Sequence, residues 1–561
     1  GRVFAYRTLR DVPPIPADPP RLANHLRDLT TLGLTVEEAA EPDRTYAFRH
    51  LVTQSVTSNL LLNSQREQLH REVASWYEAE YADSLAPYYA VLAHHWERGG
   101  DAGKAIAYLT KAGEQALRSG AYREAIALYA HMLELAEKAP PSARERGRWH
   151  QGLGEAYLGL GRLTESDRHL RIAAAALGVP LPTGSARMVL ALVKEIGLQV
   201  WHRLGPAPRP ARNREEQEAQ ARLYQQLNLV LYFAGETLPI VLGCFRGLNL
   251  AERANARPEQ AGSLANMAIL MGVVPAHRLA QAYAKRAMEA LDGVEDLSTR
   301  AQVLTRTSLY AVGIGNWESV RASLREAMAI CETLGDRRMG GESLIVLALS
   351  YRYAGDFEGA LALYESLYET ATAHGNDQER SWTLNGKGMI LLRQGKIDEA
   401  ARCFDEAEGL VAVNPDETER LNTLSQRALI HLRRGQHAEA WEAAQELLAM
   451  IARKPPIAMH ALDGLSGTAE VCLGLWSEAD DGTGRKRQAA RQACAALSRF
   501  ATLFPIAEPR AWLWKGELAR LEGDPAKAQR AWQRSLRLAE ALGMRFDVQE
   551  AERAIAQHLG Q

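Results

Sequence analysis

The sequence holds only five cysteines in 561 residues, Cys244, Cys331, Cys403, Cys472 and Cys494, with no C-x-x-C pair and an odd total. Such scatter supports neither a disulfide framework nor a zinc knuckle, and it fits a reducing, cytoplasmic setting. An excess of charge is missing too, since 66 Lys and Arg stand against 68 Asp and Glu. No global field therefore draws the chain to nucleic acid or to anionic lipid. No apolar run reaches the roughly 20 residues that span a bilayer. The nearest, residues 188–204, is interrupted by Lys194 and Glu195 and reads as a buried helix. A phosphate-cradling G-x-x-x-x-G-K-S/T loop is absent: Gly99-Gly100-Asp101-Ala102-Gly103-Lys104 lacks the first glycine at the required spacing and puts Ala105 where a hydroxyl should hold magnesium. His94-His95 has no H-E-x-x-H spacing, and Gly464-Leu465-Ser466-Gly467 lacks the glycine two places after serine that a nucleophile elbow needs. The expectation is a chain with no catalytic residues, no cofactor and no metal. It also opens with Gly1 in mid-pattern and without a leader peptide, so a longer parent polypeptide is expected.

What is present is a repeat. Hydrophobic residues at 47% and charged residues at 24% allow a large folded core. Gly315, Gly355, Gly395 and Gly435 recur every 40 residues. Five places past each stands Val320, Ala360, Ala400 or Ala440; nine past, Leu324, Tyr364, Phe404 or Ala444; twelve past, Ala327, Leu367, Ala407 or Leu447. These offsets share one helical face. Seven places before each glycine is a small residue, Ser308, Ala348, Gly388 or Ala428. The pattern predicts helical hairpins, each turned by a left-handed glycine, whose small residues let two backbones approach while the residue at plus nine fills the space alongside. The same template fits Gly120 with Gly113 and Tyr129, Gly161 with Gly154 and Leu170, and Gly523 with Gly516 and Trp532.

This pattern resembles the tetratricopeptide repeat, over about residues 86–557. The resemblance implies an all-α superhelical solenoid of antiparallel helix pairs. The spacing exceeds that family's usual period of about 34, so longer helices or connections are expected. Prolines 180, 182, 206, 208 and 210 around residues 188–204 mark a linker with one inserted helix. The expected organisation is a winged-helix-like segment with a connecting helix over 1–85, a first repeat block over 86–177, the linker over 178–215 and a second block over 216–561.

At the start of the chain, a helix over 21–32, a hairpin of 34–36 with 45–48, and a helix over 49–62 suggest the winged-helix arrangement. The strings YAFRHLVTQSVTSNLL and QREQLHREVASWYE resemble the junction after the ATPase core in signal-transduction ATPases with numerous domains. LGVPLPTGSARMVLALVKEIGLQVWHRLG and LYFAGETLPIVLGCFRGLNLAERA resemble a bacterial branch of that group often linked to class III adenylate/guanylate cyclases. The resemblance implies a non-catalytic sensor or regulatory arm of a signalling ATPase. Its implied partners are a protein, peptide or small ligand, including the ATPase and cyclase domains of the same polypeptide, with homo-oligomerisation as one means of switching. Rival readings are the arm of an ATPase-type transcription activator and a plain assembly scaffold. Residues 1–50 carry seven Arg, no Lys and seven acidic residues, which argues for a structural winged helix and against a nucleic-acid partner; no membrane partner is expected.

Tetratricopeptide arrays generally bind on the face formed by the first helix of each hairpin. The register of the regular repeats places Glu342, Ile345, Leu349, Arg352, Trp382, Asn385, Met389, Arg393, Asn422, Ser425 and Arg433 there. Asn385 and the three arginines have the chemistry to grip a carboxylate or phosphate, with Trp382 stacking beside them.

Overall fold

The computed structural model describes residues 3–12, 19–39, 44–137, 140–205, 213–411, 416–479 and 482–558. It forms two compact units, Gly1–Gly152 and Leu153–Gln561. Among the described residues there are 27 α-helices and three short strands.

The first unit opens with β1 (Val3–Ala5), α1 (Tyr6–Asp11), α2 (Pro19–Thr31), β2 (Thr35–Ala39), β3 (Thr45–Phe48) and α3 (Leu51–Asn59). The hairpin is there, with β2 antiparallel to β3, and β1 adds an unforeseen third strand on the other edge of β3. Helices α4 (Asn63–Glu80), α5 (Tyr89–Arg98), α6 (Ala102–Arg118) and α7 (Tyr122–Leu135) follow, and α8 (Ala143–Gly159) runs across the boundary into the second unit. The Gly99–Lys104 string is a helix junction: Gly100 is left-handed at φ +80°, and the Asp101 carboxylate accepts from the Lys104 amide at 2.9 Å to cap α6.

In the second unit α9 (Leu163–Ala176) and α10 (Ser185–Leu204) precede a run of hairpins. These are α11 (Arg214–Phe233) with α12 (Thr237–Ala254), α13 (Arg257–Val273) with α14 (His277–Ala290), and α15 (Leu297–Gly313) with α16 (Trp317–Leu334). Then come α17 (Arg337–Ala354) with α18 (Phe357–His374), α19 (Asp377–Arg393) with α20 (Ile397–Val411), and α21 (Glu417–Arg433) with α22 (His437–Arg453). The unit ends with α23 (Leu462–Ala479), α24 (Arg485–Ala501), α25 (Glu508–Leu521), α26 (Pro525–Ala541) and α27 (Arg545–His558). Odd-numbered helices from α11 to α25 touch one another in succession and form the inner layer.

The repeat template matches the packing. Gly315, Gly355, Gly395 and Gly435 take φ between +72° and +81°, and Val320, Ala360, Ala400 and Ala440 are fully buried. The small residue before the turn faces the large one after it: a Cβ on Gly388 would lie 2.8 Å from the Phe404 ring, and one on Gly516 would lie 2.4 Å from that of Trp532. The extra length of the repeat resides in the helices, since α16, α17 and α18 have 18 residues each. A second turn signal lies half a repeat away. Gly335 and Gly375 are left-handed too, and Asp336 and Asn376 cap the next helices through the amides of Met339 and Glu379.

Residues about 220 apart come back into contact in this unit. Asn376 Nδ2 donates to Gly159 O at 3.3 Å across 217 positions, Lys454 Nζ to Ala234 O across 220, and Trp317 Nε1 to Leu542 O at 2.6 Å across 225. One superhelical turn therefore takes about five and a half repeats, and successive turns are hydrogen-bonded to each other.

Residues 188–204 do not form a buried helix. In α10 the apolar residues face out, with Leu190 72% and Leu204 84% exposed, while Glu195 and Gln199 are buried. The cause is a polar stripe on α12: Arg246 Nε donates to Glu195 Oε1 at 3.0 Å, Asn249 Nδ2 to Glu195 Oε2 at 2.8 Å, and Gln199 Nε2 to Asn249 Oδ1 at 2.7 Å. Buried amides and charges cost more when unpaired than apolar side chains cost when wet, so the polar face turns inward. No helix among the described residues is long and apolar enough to cross a membrane.

Candidate functional site

A chiefly apolar cavity of about 170 Å3 lies inside the second unit, walled by the inner helices α11, α13, α15, α17, α19 and α21, with the start of α12 and the segment around Ile457 and His460. Its size is close to the ~150 Å3 apolar cavity that admits benzene in an engineered protein. Residues three, four and seven apart on a helix share a face. Thus Glu342, Ile345, Leu349 and Arg352 of α17 reach it together, as do Trp382, Asn385 and Met389 of α19. Thr237 and Val274, both exposed, stand at its rim.

Of the eight residues emphasised from the repeat register, Glu342, Arg352, Trp382, Asn385, Met389 and Asn422 line this cavity, while Arg393 and Arg433 do not. The three arginines are already engaged. Arg352 is 5% exposed and its Nη1 donates to Asp463 Oδ2 at 2.7 Å; Arg393 Nη2 reaches Asp463 Oδ1 at 3.2 Å; Arg433 donates to Leu392 O at 2.8 Å and to Glu470 at 3.2 Å. Asn385 gives its amide to Glu419 and accepts from Thr423 Oγ1 at 3.0 Å. Asn422 donates to His460 O at 3.3 Å and accepts from the Gly464 amide at 3.0 Å, while Ser425 Oγ bonds to the Asn422 carbonyl. Trp382 packs on Phe233 with ring centroids 5.3 Å apart.

The register of the four regular repeats missed Asn228, Asn266 and Arg306, which α11, α13 and α15 bring to the same cavity. Moving Glu342 and Ile345 back by 40 positions gives Gln302 and Thr305, and Arg306 is the next residue. Arg306 lies in the regular Gly315 repeat, and its counterpart 40 positions on, Val346, also lines the cavity but was not among the residues assigned to the face; Asn228 and Asn266 lie in hairpins of looser spacing. Arg306 is 9% exposed and, among the described residues, makes one hydrogen bond, from Nη1 to Asn266 Oδ1 at 3.0 Å. Burial pulls its guanidinium down to about 10, against the opposing pull of Glu342. Buried Asn266 Nδ2 and Asn228 Oδ1 have no partner.

Burial also perturbs the acids around this layer. It pushes Glu419 up to about 8, with Asp416 adding repulsion, and lowers His460 to about 4, with Arg352 contributing. Glu379 rises to about 8 through burial first and Glu342 second, with Arg338 opposing. A carboxyl whose pKa is raised on folding adds stability that is complete below its unfolded value, about 4.3, and is lost as pH rises through the folded value. Glu379→Gln should therefore melt with the parent at pH 5 and at least about 2 °C above it at pH 8.5. Parallel melting curves across that range would contradict the assignment.

The sequence of residues 379–453 matches a tetratricopeptide repeat family model. No curated protein matches the chain. Among solved structures, a Rap protein complexed with competence and sporulation factor is 13% identical and aligns over 78% of this chain and 99% of its own, with a TM-score of 0.44. Yeast Tom70 is 13% identical over 85% of this chain and 96% of its own, with a TM-score of 0.34, and the Cut9-Hcn1 hetero-tetramer of APC/C has a TM-score of 0.36. The latter is 13% identical over 91% of this chain and 99% of its own. The chain is an all-α, tetratricopeptide-like superhelical solenoid with a small three-stranded sheet near its start.

Proposed function

We propose that this chain is a non-catalytic sensor and interaction arm that takes a small ligand or peptide into the cavity of its second unit. The observation that carries the reading is the cavity itself: an apolar space walled by six inner helices, whose lining residues include Asn228 and Asn266, each with a buried polar atom left unpaired. An occupant touching α11 and α21 together spans most of a superhelical turn, so its binding energy acts on the pitch of the solenoid. Regulation follows if the occupant binds two pitches with different affinity.

The finer reading is the cytoplasmic arm of a bacterial signalling ATPase of the cyclase-linked kind, with a winged-helix-like segment over 1–85, repeat blocks over 86–177 and 216–561 and a linker over 178–215. Its support is the junction resemblance in the sequence, together with the order of α2, the β2–β3 hairpin and α3 ahead of the repeats. A parent polypeptide without a nucleotide-binding domain would refute this finer reading and leave the coarser one standing.

Native mass spectrometry of the purified chain, before and after incubation with host-cell lysate, tests the coarser reading. Retained mass below about 1 kDa is expected on the parent chain and is expected to disappear in Leu309→Trp, which fills the cavity from α15. Equal retention by both would place the ligand elsewhere, and an unliganded parent spectrum with no thermal shift from any metabolite or peptide pool would overturn the sensor reading.

A further inference from the structure

The chemistry of the occupant is written in a polar corner of the cavity, formed by Arg306 and Asn266, that the protein leaves partly unsatisfied. Arg352, the other arginine on the wall, is ion-paired with Asp463 at 2.7 Å. Among the described residues, no carboxylate lies within ion-pair distance of Arg306, and its single hydrogen bond there, to Asn266, uses one of five guanidinium N–H groups. Glu342 lines the same cavity but is held by Arg338. Glu342 stands near enough to Arg306 to favour its charge, but its carboxylate is ion-paired with Arg338 and not with Arg306. Asn266 adds a second unpaired donor, Nδ2, beside Arg306. A buried guanidinium without a direct ion pair is costly.

The same helices continue the site as apolar stripes. Leu309 follows Arg306 by three positions, and Leu270 and Val273 follow Asn266 by four and seven, all on the cavity wall. A ligand that satisfies this corner therefore carries an acceptor anion on an apolar body.

Building on the sensor reading above, we propose that the cavity binds a small organic carboxylate with an apolar tail, of medium-chain fatty-acid or aryl-alkanoate type, whose carboxylate is received by Arg306 and Asn266. Arg306 offers two parallel N–H groups to the two carboxylate oxygens, the geometry for which guanidinium is suited. Asn266 Nδ2 gives a third donor, and Leu309, Leu270 and Val273 cover the chain. The apolar carboxyl terminus of a peptide carries the same chemistry, and the space of about 170 Å3 favours the smaller source.

Calorimetric titration with octanoate and with 1-octanol, on the parent chain, Arg306→Met and Leu309→Trp, decides the matter. On the parent, octanoate is expected to bind at least about tenfold more tightly than octanol. Arg306→Met should erase that preference and leave octanol binding and the ligand-free melting temperature unchanged or higher, whereas a purely structural arginine would lower the melting temperature. Leu309→Trp should block both probes. Equal affinity for the two probes, undisturbed by Arg306→Met but lost in Leu309→Trp, overturns the carboxylate assignment and leaves the sensor reading intact. Binding of neither probe also overturns it, and the lysate experiment then judges the sensor reading separately. Tighter, Arg306-dependent binding of acetyl-Leu-Leu-Phe with a free carboxyl than of octanoate, lost in its amide, would reassign the site to peptide termini.

Discussion

Asp463→Ala is expected to destabilise the second unit by about 3–5 kcal/mol, because it leaves buried Arg352 and half-buried Arg393 without their carboxylate and takes from buried Arg510 one of its two. The Asp463 side chain is 1% exposed on α23. Its Oδ2 accepts from Arg352 Nη1 at 2.7 Å and from the Tyr353 hydroxyl at 2.9 Å, and its Oδ1 from Arg510 Nη1 at 2.7 Å and Arg393 Nη2 at 3.2 Å. Arg510 Nε in turn donates to Asp547 Oδ1 at 2.7 Å. One carboxylate therefore ties α17 and α19 to α25, and through Arg510 to α27. Burial opposes its ionisation, but Arg352, Arg510 and Arg393 outweigh that effect and hold it well below the usual carboxylate range. Its folded pKa is depressed, so its contribution is present above the unfolded value of about 3.9 and is lost only as pH falls towards the folded one. Urea unfolding followed by circular dichroism at pH 7 checks the effect; a loss below about 1 kcal/mol would mean that solvent reaches the arginines as the carboxylate leaves.

Phe404→Ala should cost a similar amount, about 3–5 kcal/mol, by opening a void in the middle of the regular repeats. Phe404 is fully buried on α20, with its ring against Gly388 of α19. That contact makes a sharper test than the single variant. Gly388→Ala alone places a methyl group 2.8 Å from the Phe404 ring and should destabilise by overpacking. In the Phe404→Ala background the same methyl group enters the void, so the double variant should be more stable than the sum of the single effects predicts, by about 1 kcal/mol. Strict additivity would show that the two helices adjust independently and that the small-against-large pairing does not set their distance.

That pairing was legible in the sequence because it depends on spacing within one hairpin. Gly388 and Phe404 are 16 positions apart, as are Gly113 and Tyr129, Gly154 and Leu170, and Gly516 and Trp532. The α10 helix was misread for the opposite reason. Its apolar run suggested burial, and only the stripe of Arg246, Asn249 and Glu252 on α12 shows why Glu195 and Gln199 took the inside. The arginines of the inner face were likewise readable as inward-pointing, but the residues that engage Arg352 and Arg393 lie 111 and 70 positions away.

The sequence by itself determined the hairpins, their turns and the identity of the inner helices, since each follows from contacts within about one 40-residue repeat and from the conformational freedom of glycine. The tertiary structure decided which inward-facing groups are spent on the fold and which remain for a ligand. Arg352 and Arg306 both sit on inner helices, yet the return of the chain brings Asp463 to the first and, among the described residues, no carboxylate within ion-pair distance of the second. Coupling across a superhelical turn depends on pitch, and pitch is the accumulated result of many small packing angles that no single repeat encodes.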